Sequence, residues 1–124
     1  MGNRANIKVV DGQDSVWLYS HWDGDELPEI LHVALSRRQR WDHAPYLTRI
    51  IFCQMAKGDE DGETGLGISS TIGDNEHLII VVDVGMQTVS LEKEAGGVTF
   101  KPIPIEKFVD NPSKLFKSYR KRRD

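Results

Sequence analysis

His77-Leu78-Ile79-Ile80-Val81-Val82-Asp83-Val84 contains the longest unbroken apolar run of the chain, Leu78 to Val82. The run is far below the roughly 20 residues needed to cross a bilayer, and turn residues bracket it, which predicts one long strand. A strand with one wet face alternates; this one does not, so burial on both faces is expected. Its second face then needs a cover, and another copy of the same chain is the economical candidate.

Downstream, Gly85-Met86-Gln87 turns the chain into Thr88 to Glu94, where Val89 and Leu91 alternate with polar residues. Ala95-Gly96-Gly97 turns it again into Val98 to Ile103, and Pro102 and Pro104 restrict that segment to a sheet edge. Upstream, Leu66 to Ile72 reads as extended, behind an acidic glycine-rich loop, Lys57 to Gly65. Near the N-terminus, Asn6 to Val10 and Ser15 to Trp22 show the period of two on either side of Asp11-Gly12, which predicts a hairpin.

Between hairpin and loop the period changes. Leu27, Ile30, Leu31, Ala34 and Leu35 make one helical stripe, and Leu47, Ile50, Ile51 and Met55 make a second, stopped by Gly58. Each helix opens with an Asp three residues before a Pro, Asp25 with Pro28 and Asp42 with Pro45; the Asp is expected to cap and the Pro to sit in the first turn. Phe52 and Cys53 widen the second stripe, which suits a central helix or a subunit contact. The expected fold is α+β, an antiparallel sheet of about six strands in the order ββααββββ with two helices on one face.

The chain has 124 residues and a formal net charge of -3, enough for one core and no more. Residues 114–124 hold six basic side chains and one acid, leaving 10 basic against 18 acidic in residues 1–113. The reading is therefore a single domain over 1–113 and a basic tail, a frayed and solvated terminus against the acidic body. Such a body is a poor binder of long nucleic acid, whose affinity comes from neutralising many phosphates. No basic-then-apolar leader opens the sequence, so a soluble cytoplasmic protein without a membrane partner is expected. Cys53 is alone, which excludes a disulfide framework within one chain.

Motifs for chemistry are sparse. Glu29-x-x-His32 has the spacing of a di-iron pair but lacks the companion helices, so His32 reads as solvated. The run Asp59-Glu60-Asp61-Gly62-Glu63 lacks the ligand alternation of a calcium loop, and Cys53 lies among apolar neighbours where a thiol is inert. No catalytic residue, metal site or cofactor is expected. Binding groups are easier to find. Tyr19 to Glu26 gathers His21, a proton carrier or ligand donor, with Trp22, able to stack on a base, although such aromatics also pack in cores. Arg49 lies beside the apolar stripe of the second helix, where a guanidinium either snorkels outward or meets a phosphate. Asn75 offers an amide for hydrogen bonding, in a turn that also explains it.

Taken together, Asn3-Arg4-Ala5-Asn6-Ile7, Leu18-Tyr19-Ser20-His21-Trp22-Asp23-Gly24, the segment from Trp41-Asp42 to Arg49, and Gly73-Asp74-Asn75-Glu76-His77 resemble a family of small phage and bacterial proteins over roughly residues 3–91. In size and element content the chain is also similar to the phage anti-Thoeris sponges. That resemblance implies an oligomeric protein that sequesters a cyclic ADP-ribose or cyclic dinucleotide signal without cleaving it; no site residue is carried over from it.

The expectation is a homo-oligomer, a dimer or larger with a hexamer among the options, that captures a small nucleotide-derived ligand near subunit boundaries. Arg49, with Arg4 or Lys101, would face phosphates; Trp22, Trp41 or Tyr46 would stack; His21 and Asn75 would add polar contacts. Two alternatives stand beside it: an anti-CRISPR-like inhibitor that binds a host protein through its acidic surface, and a histidine-dependent nucleotide hydrolase.

Overall fold

The computed structural model describes residues 2–121. Strands β1 (Ala5–Asp11) and β2 (Asp14–Ser20) form the hairpin, followed by a short 3-10 turn (Gly24–Glu26) and helices α1 (Leu27–Leu35) and α2 (Ala44–Met55). Strands β3 (Leu66–Ser69), β4 (Ile79–Asp83), β5 (Thr88–Glu92) and β6 (Val98–Pro104) come next, then helices α3 (Ile105–Asp110) and α4 (Ser113–Lys121). The α+β class and the strand order in sequence stand as expected. Two features differ.

First, the sheet is mixed. Its order is β3-β2-β1-β4-β5-β6, and β1 pairs with β4 in parallel, Ile7 opposite Ile80 and Val9 opposite Val82. Because β3 runs antiparallel to β2, it points the same way as β1 and β4. The chain therefore has to cross back from one sheet edge to the centre, and residues 70–78 do so. Asn6, fully buried, pins that crossing: its Nδ2 donates to the Gly73 and Asp74 carbonyls and to Asn75 Oδ1, and its Oδ1 accepts from the Gly73 amide. Gly73 also lies flat against Tyr19, where a Cβ would stand 2.8 Å from the ring.

Second, the helices number four among the described residues, and all contribute to one core with the same sheet face. Ile7, Val9, Leu18, Ile80, Val82, Val89 and Leu91 meet Leu31 and Leu35 of α1, Leu47 and Ile51 of α2, Phe108 of α3, and Leu115 and Tyr119 of α4 in that cluster. The reading of residues 114–124 as a frayed terminus is thus corrected over its described part. Leu115 and Tyr119 lie one turn apart, so one stripe of α4 is apolar although its outer face is basic. Arg122, Arg123 and Asp124 lie outside the described residues.

The long apolar strand has its two-faced burial within a single chain. Ile79 and Val81 point away from the helices, yet are only 4% and 6% exposed. The register sets Val81 between Lys8 of β1 and Ser90 of β5, with Trp17 next to Lys8 and its ring 5.1 Å from the Lys8 ammonium. Flanking side chains shield the row, so this strand no longer requires a sister chain.

Smaller expectations also change. Asp25 and Asp42 do not cap: α1 has no side-chain cap, and α2 is capped by His43, whose Nδ1 accepts from the Tyr46 amide at 3.3 Å. Both prolines sit in the first turn as expected. His32 is not solvated; its Nε2 donates to the Val109 carbonyl at 2.9 Å and its ring meets Phe108 and Phe116 edge-on. The proline-bearing β6 is an edge strand, as its residues require.

Candidate functional site

The link between α1 and α2 reads Ser36-Arg37-Arg38-Gln39-Arg40-Trp41-Asp42-His43. Arg38 and Arg40 occupy the left-handed region, with φ of 54° and 59°. Each such residue costs about 1–2 kcal/mol, so the surroundings must hold the loop. Arg38 pairs with Asp110 of α3 at 2.9 Å and lies over the Trp41 ring. The Trp41 indole donates to the Leu35 carbonyl at 3.1 Å, and its own carbonyl accepts from Gln87 Nε2 at 2.7 Å.

This anchored loop projects Gln39 and Arg40 toward Tyr46, Arg49 and Ile50 of α2, and the five residues line a cleft of about 410 Å³. The Arg40 guanidinium rests 5.0 Å from the Tyr46 ring centre, and His43 stacks on the same ring at 4.4 Å. Arg49 reaches the Cys53 sulfur at 4.0 Å. Neither Arg40 nor Arg49 forms an ion pair with a carboxylate among the described residues. In a body with an excess of acids, two guanidinium groups without a carboxylate partner among the described residues share one concavity, and their chemistry suits an anion. No carboxylate or metal-ligating set lines the cleft; what it offers is charge, a ring and hydrogen-bond donors.

A second cleft, about 300 Å³, lies on the other flank of α2, among Val9, Val16, Ala44, Pro45 and Thr48. Asp11 and Asp14 stand at it, so its charge would repel a phosphate.

The other singled-out residues fall elsewhere. Arg4, His21, Trp22 and Asn75 gather around the N-terminal end of β1. There Tyr19 Oη and His21 Nδ1 share a hydrogen bond at 2.9 Å, Trp22 packs edge-on against His21 while remaining 56% exposed, and the Arg4 amide donates to Glu76. Burial raises the Tyr19 phenol pKa above its usual 10.0; Asp74 and Glu76 push the same way, and Arg4 opposes them. Asn75 spends its amide on Asn6 and on the His77 carbonyl, and Trp41 is an anchor of the loop. Lys101 stands on the exposed edge strand β6, far across the sheet.

The structure thus unites Arg49 with Tyr46 and separates both from the remaining candidates. The residue missed in sequence is Arg40. Its signal was the Arg-Arg-Gln-Arg run between two helices, of which Arg38 is the one paired with α3 in the structure. No family model, curated protein or solved structure matches this chain.

Proposed function

We propose that this protein binds a small phosphate-bearing, nucleotide-type ligand in the Arg40–Tyr46–Arg49 cleft and releases it unchanged. The observation that carries this reading is the pair of arginines, without carboxylate partners among the described residues, that lines a concavity of about 410 Å³ together with a tyrosine. Charge-assisted hydrogen bonds from a guanidinium contribute about 1.5–3 kcal/mol each, so loss of either arginine should weaken binding about tenfold or more. No carboxylate lines the cleft, and His43 beside it spends its Nδ1 on the Tyr46 amide, which favours holding over hydrolysis. In this reading the protein is a sponge, and the resemblance to the anti-Thoeris proteins supplies the ligand class, a cyclic dinucleotide or cyclic ADP-ribose signal.

Calorimetry with cyclic dinucleotides and cyclic ADP-ribose isomers tests the proposal. A member of the panel should bind with an affinity that Arg49→Gln reduces about tenfold or more, and chromatography after heating should return it intact. Silence across the panel at high protein concentration would defeat the reading, and a released product would convert it into an enzyme.

A further inference from the structure

The two edges of the sheet are built differently. β6 carries Pro102, Pro104 and Lys101, and its pairing with β5 shifts register twice, all devices that stop another strand from adding. β3, at the opposite edge, has none of them. Its sequence is Leu66-Gly67-Ile68-Ser69, uncharged and without proline.

The hydrogen-bond register shows which groups are left over. The His21 amide donates to the Gly65 carbonyl, and β3 continues with Gly67 opposite Tyr19 and Ser69 opposite Trp17. In an antiparallel ladder, alternate residues turn their amide and carbonyl toward the partner strand. Gly65, Gly67 and Ser69 therefore face β2, and Leu66 and Ile68 present theirs outward. Ile68 is 61% exposed, and a Cβ at Gly67 would meet no atom within 4 Å, so both surfaces of the edge are open.

We propose that β3 is a docking edge for an extended basic peptide segment of another protein, which adds as a seventh strand. Main-chain bonds to Leu66 and Ile68 would supply the affinity, and an apolar side chain beside Ile68 would fix the register. The charge preference comes from the loop leading into the strand, where Asp59, Glu60, Asp61 and Glu63 face a single lysine, Lys57. The exposed Trp22 stands against Gly65 at the same end and offers a ring to an arginine or lysine. A second copy fits less well, because its own β3 and the loop leading into it carry the same acidic excess and offer the acidic loop no complementary charge. This docking edge is independent of the arginine cleft.

The test uses a capped pentapeptide alternating lysine with valine and isoleucine, and its twin with glutamate in place of lysine, titrated into the isotopically labelled full chain. The basic peptide should shift the amide signals of residues 66–69, weaken with added salt, and bind about tenfold or more tighter than the acidic twin. Ile68→Pro removes an outward amide without touching the ladder to β2 and should lower affinity about fivefold or more, while Ile68→Thr, which retains the amide, should change it less. Unchanged far-ultraviolet dichroism would show that both variants fold. Absence of shifts at millimolar basic peptide, equal binding of the acidic twin, or full affinity in Ile68→Pro would each overturn the proposal. So would a dimer in sedimentation that Ile68→Pro dissolves, since the edge would then belong to a second copy.

Discussion

Gln87 holds Trp41: its side-chain amide donates to the Trp41 carbonyl at 2.7 Å and to the Val84 carbonyl at 3.0 Å, joining the β4–β5 turn to the loop that carries Arg40. Gln87 is itself left-handed, with φ of 59°. Two costs therefore oppose each other at one position, backbone strain and the value of two hydrogen bonds.

Replacing Gln87 separates them. Gln87→Ala loses the bonds and keeps the strain, and is expected to cost about 1–3 kcal/mol in denaturant unfolding. Gln87→Gly loses the same bonds but relaxes the backbone, so it should retain about 1 kcal/mol more than the alanine variant. In both, amide exchange in residues 36–43 should accelerate. Exchange unchanged from the parent would show that the loop is held by Arg38 and the Trp41 indole alone.

Arg40 should show a trade between stability and binding. Its φ of 59° is costly for any residue with a Cβ, so Arg40→Gly is expected to raise unfolding free energy by about 0.5–1 kcal/mol. The same change removes one of two guanidinium groups from the cleft, and ligand affinity should fall about tenfold or more. Arg40→Lys keeps the charge but not the fork, so an intermediate loss is expected. A glycine variant that binds as well as the parent would remove Arg40 from the site.

The elements that obey a local period were legible in the sequence, because each such period is a statement about one face. Ile7 with Val9, Val89 with Leu91, and the stripes of α1 and α2 all have their expected place. The parallel pairing of β1 with β4 was not legible. It follows from where the crossing over residues 70–78 delivers the chain, and the buried amide of Asn6 that secures the crossing looks in sequence like any polar residue near a strand start. Helix α4 was hidden for a different reason: Lys114, Lys117, Arg120 and Lys121 dominate its composition and mask the Leu115–Tyr119 spacing. Arg49 and Tyr46 were legible as a pair on one helix. Arg40 was not, since its orientation depends on a strained loop fixed from α3 and the β4–β5 turn.

The C-terminal helix gives a sharp check on the domain limits. Tyr119 is fully buried, its ring stacks on His77 with an interplanar angle of 7°, and its hydroxyl donates to the Gly24 carbonyl at 2.7 Å. A Cβ at Gly24 would stand 2.5 Å from the Asn3 carbonyl oxygen, so this corner has no room to rearrange. Tyr119→Phe should cost about 1–3 kcal/mol through the unsatisfied carbonyl, and Leu115→Ala about 2–5 kcal/mol. A chain ending at Pro112 loses both side chains and the Glu29–Arg120 ion pair, and should fail to give a cooperative unfolding transition. A truncated chain as stable as the full one would restore the view of this segment as a dispensable tail.

Alkaline pH should weaken the fold through Tyr19. Its phenol pKa lies above 10.0, chiefly from burial and further from Asp74 and Glu76, with Arg4 acting against them. A group whose folded value is raised favours the folded state fully below its unfolded value, and that contribution fades as pH climbs through the folded one. Tyr19→Phe keeps the packing on Gly73 and removes both the ionisation and the bond to His21. The stability difference between parent and variant should therefore be constant from neutrality to about pH 9 and should shrink above pH 10, as the parent alone loses its Tyr19 contribution. Paired urea titrations at intervals across that range measure it, with ultraviolet absorbance at the phenolate band as a direct readout of the missing ionisation. A difference that stays flat to pH 12 would mean that Tyr19 ionises as readily in the folded chain as in the unfolded one.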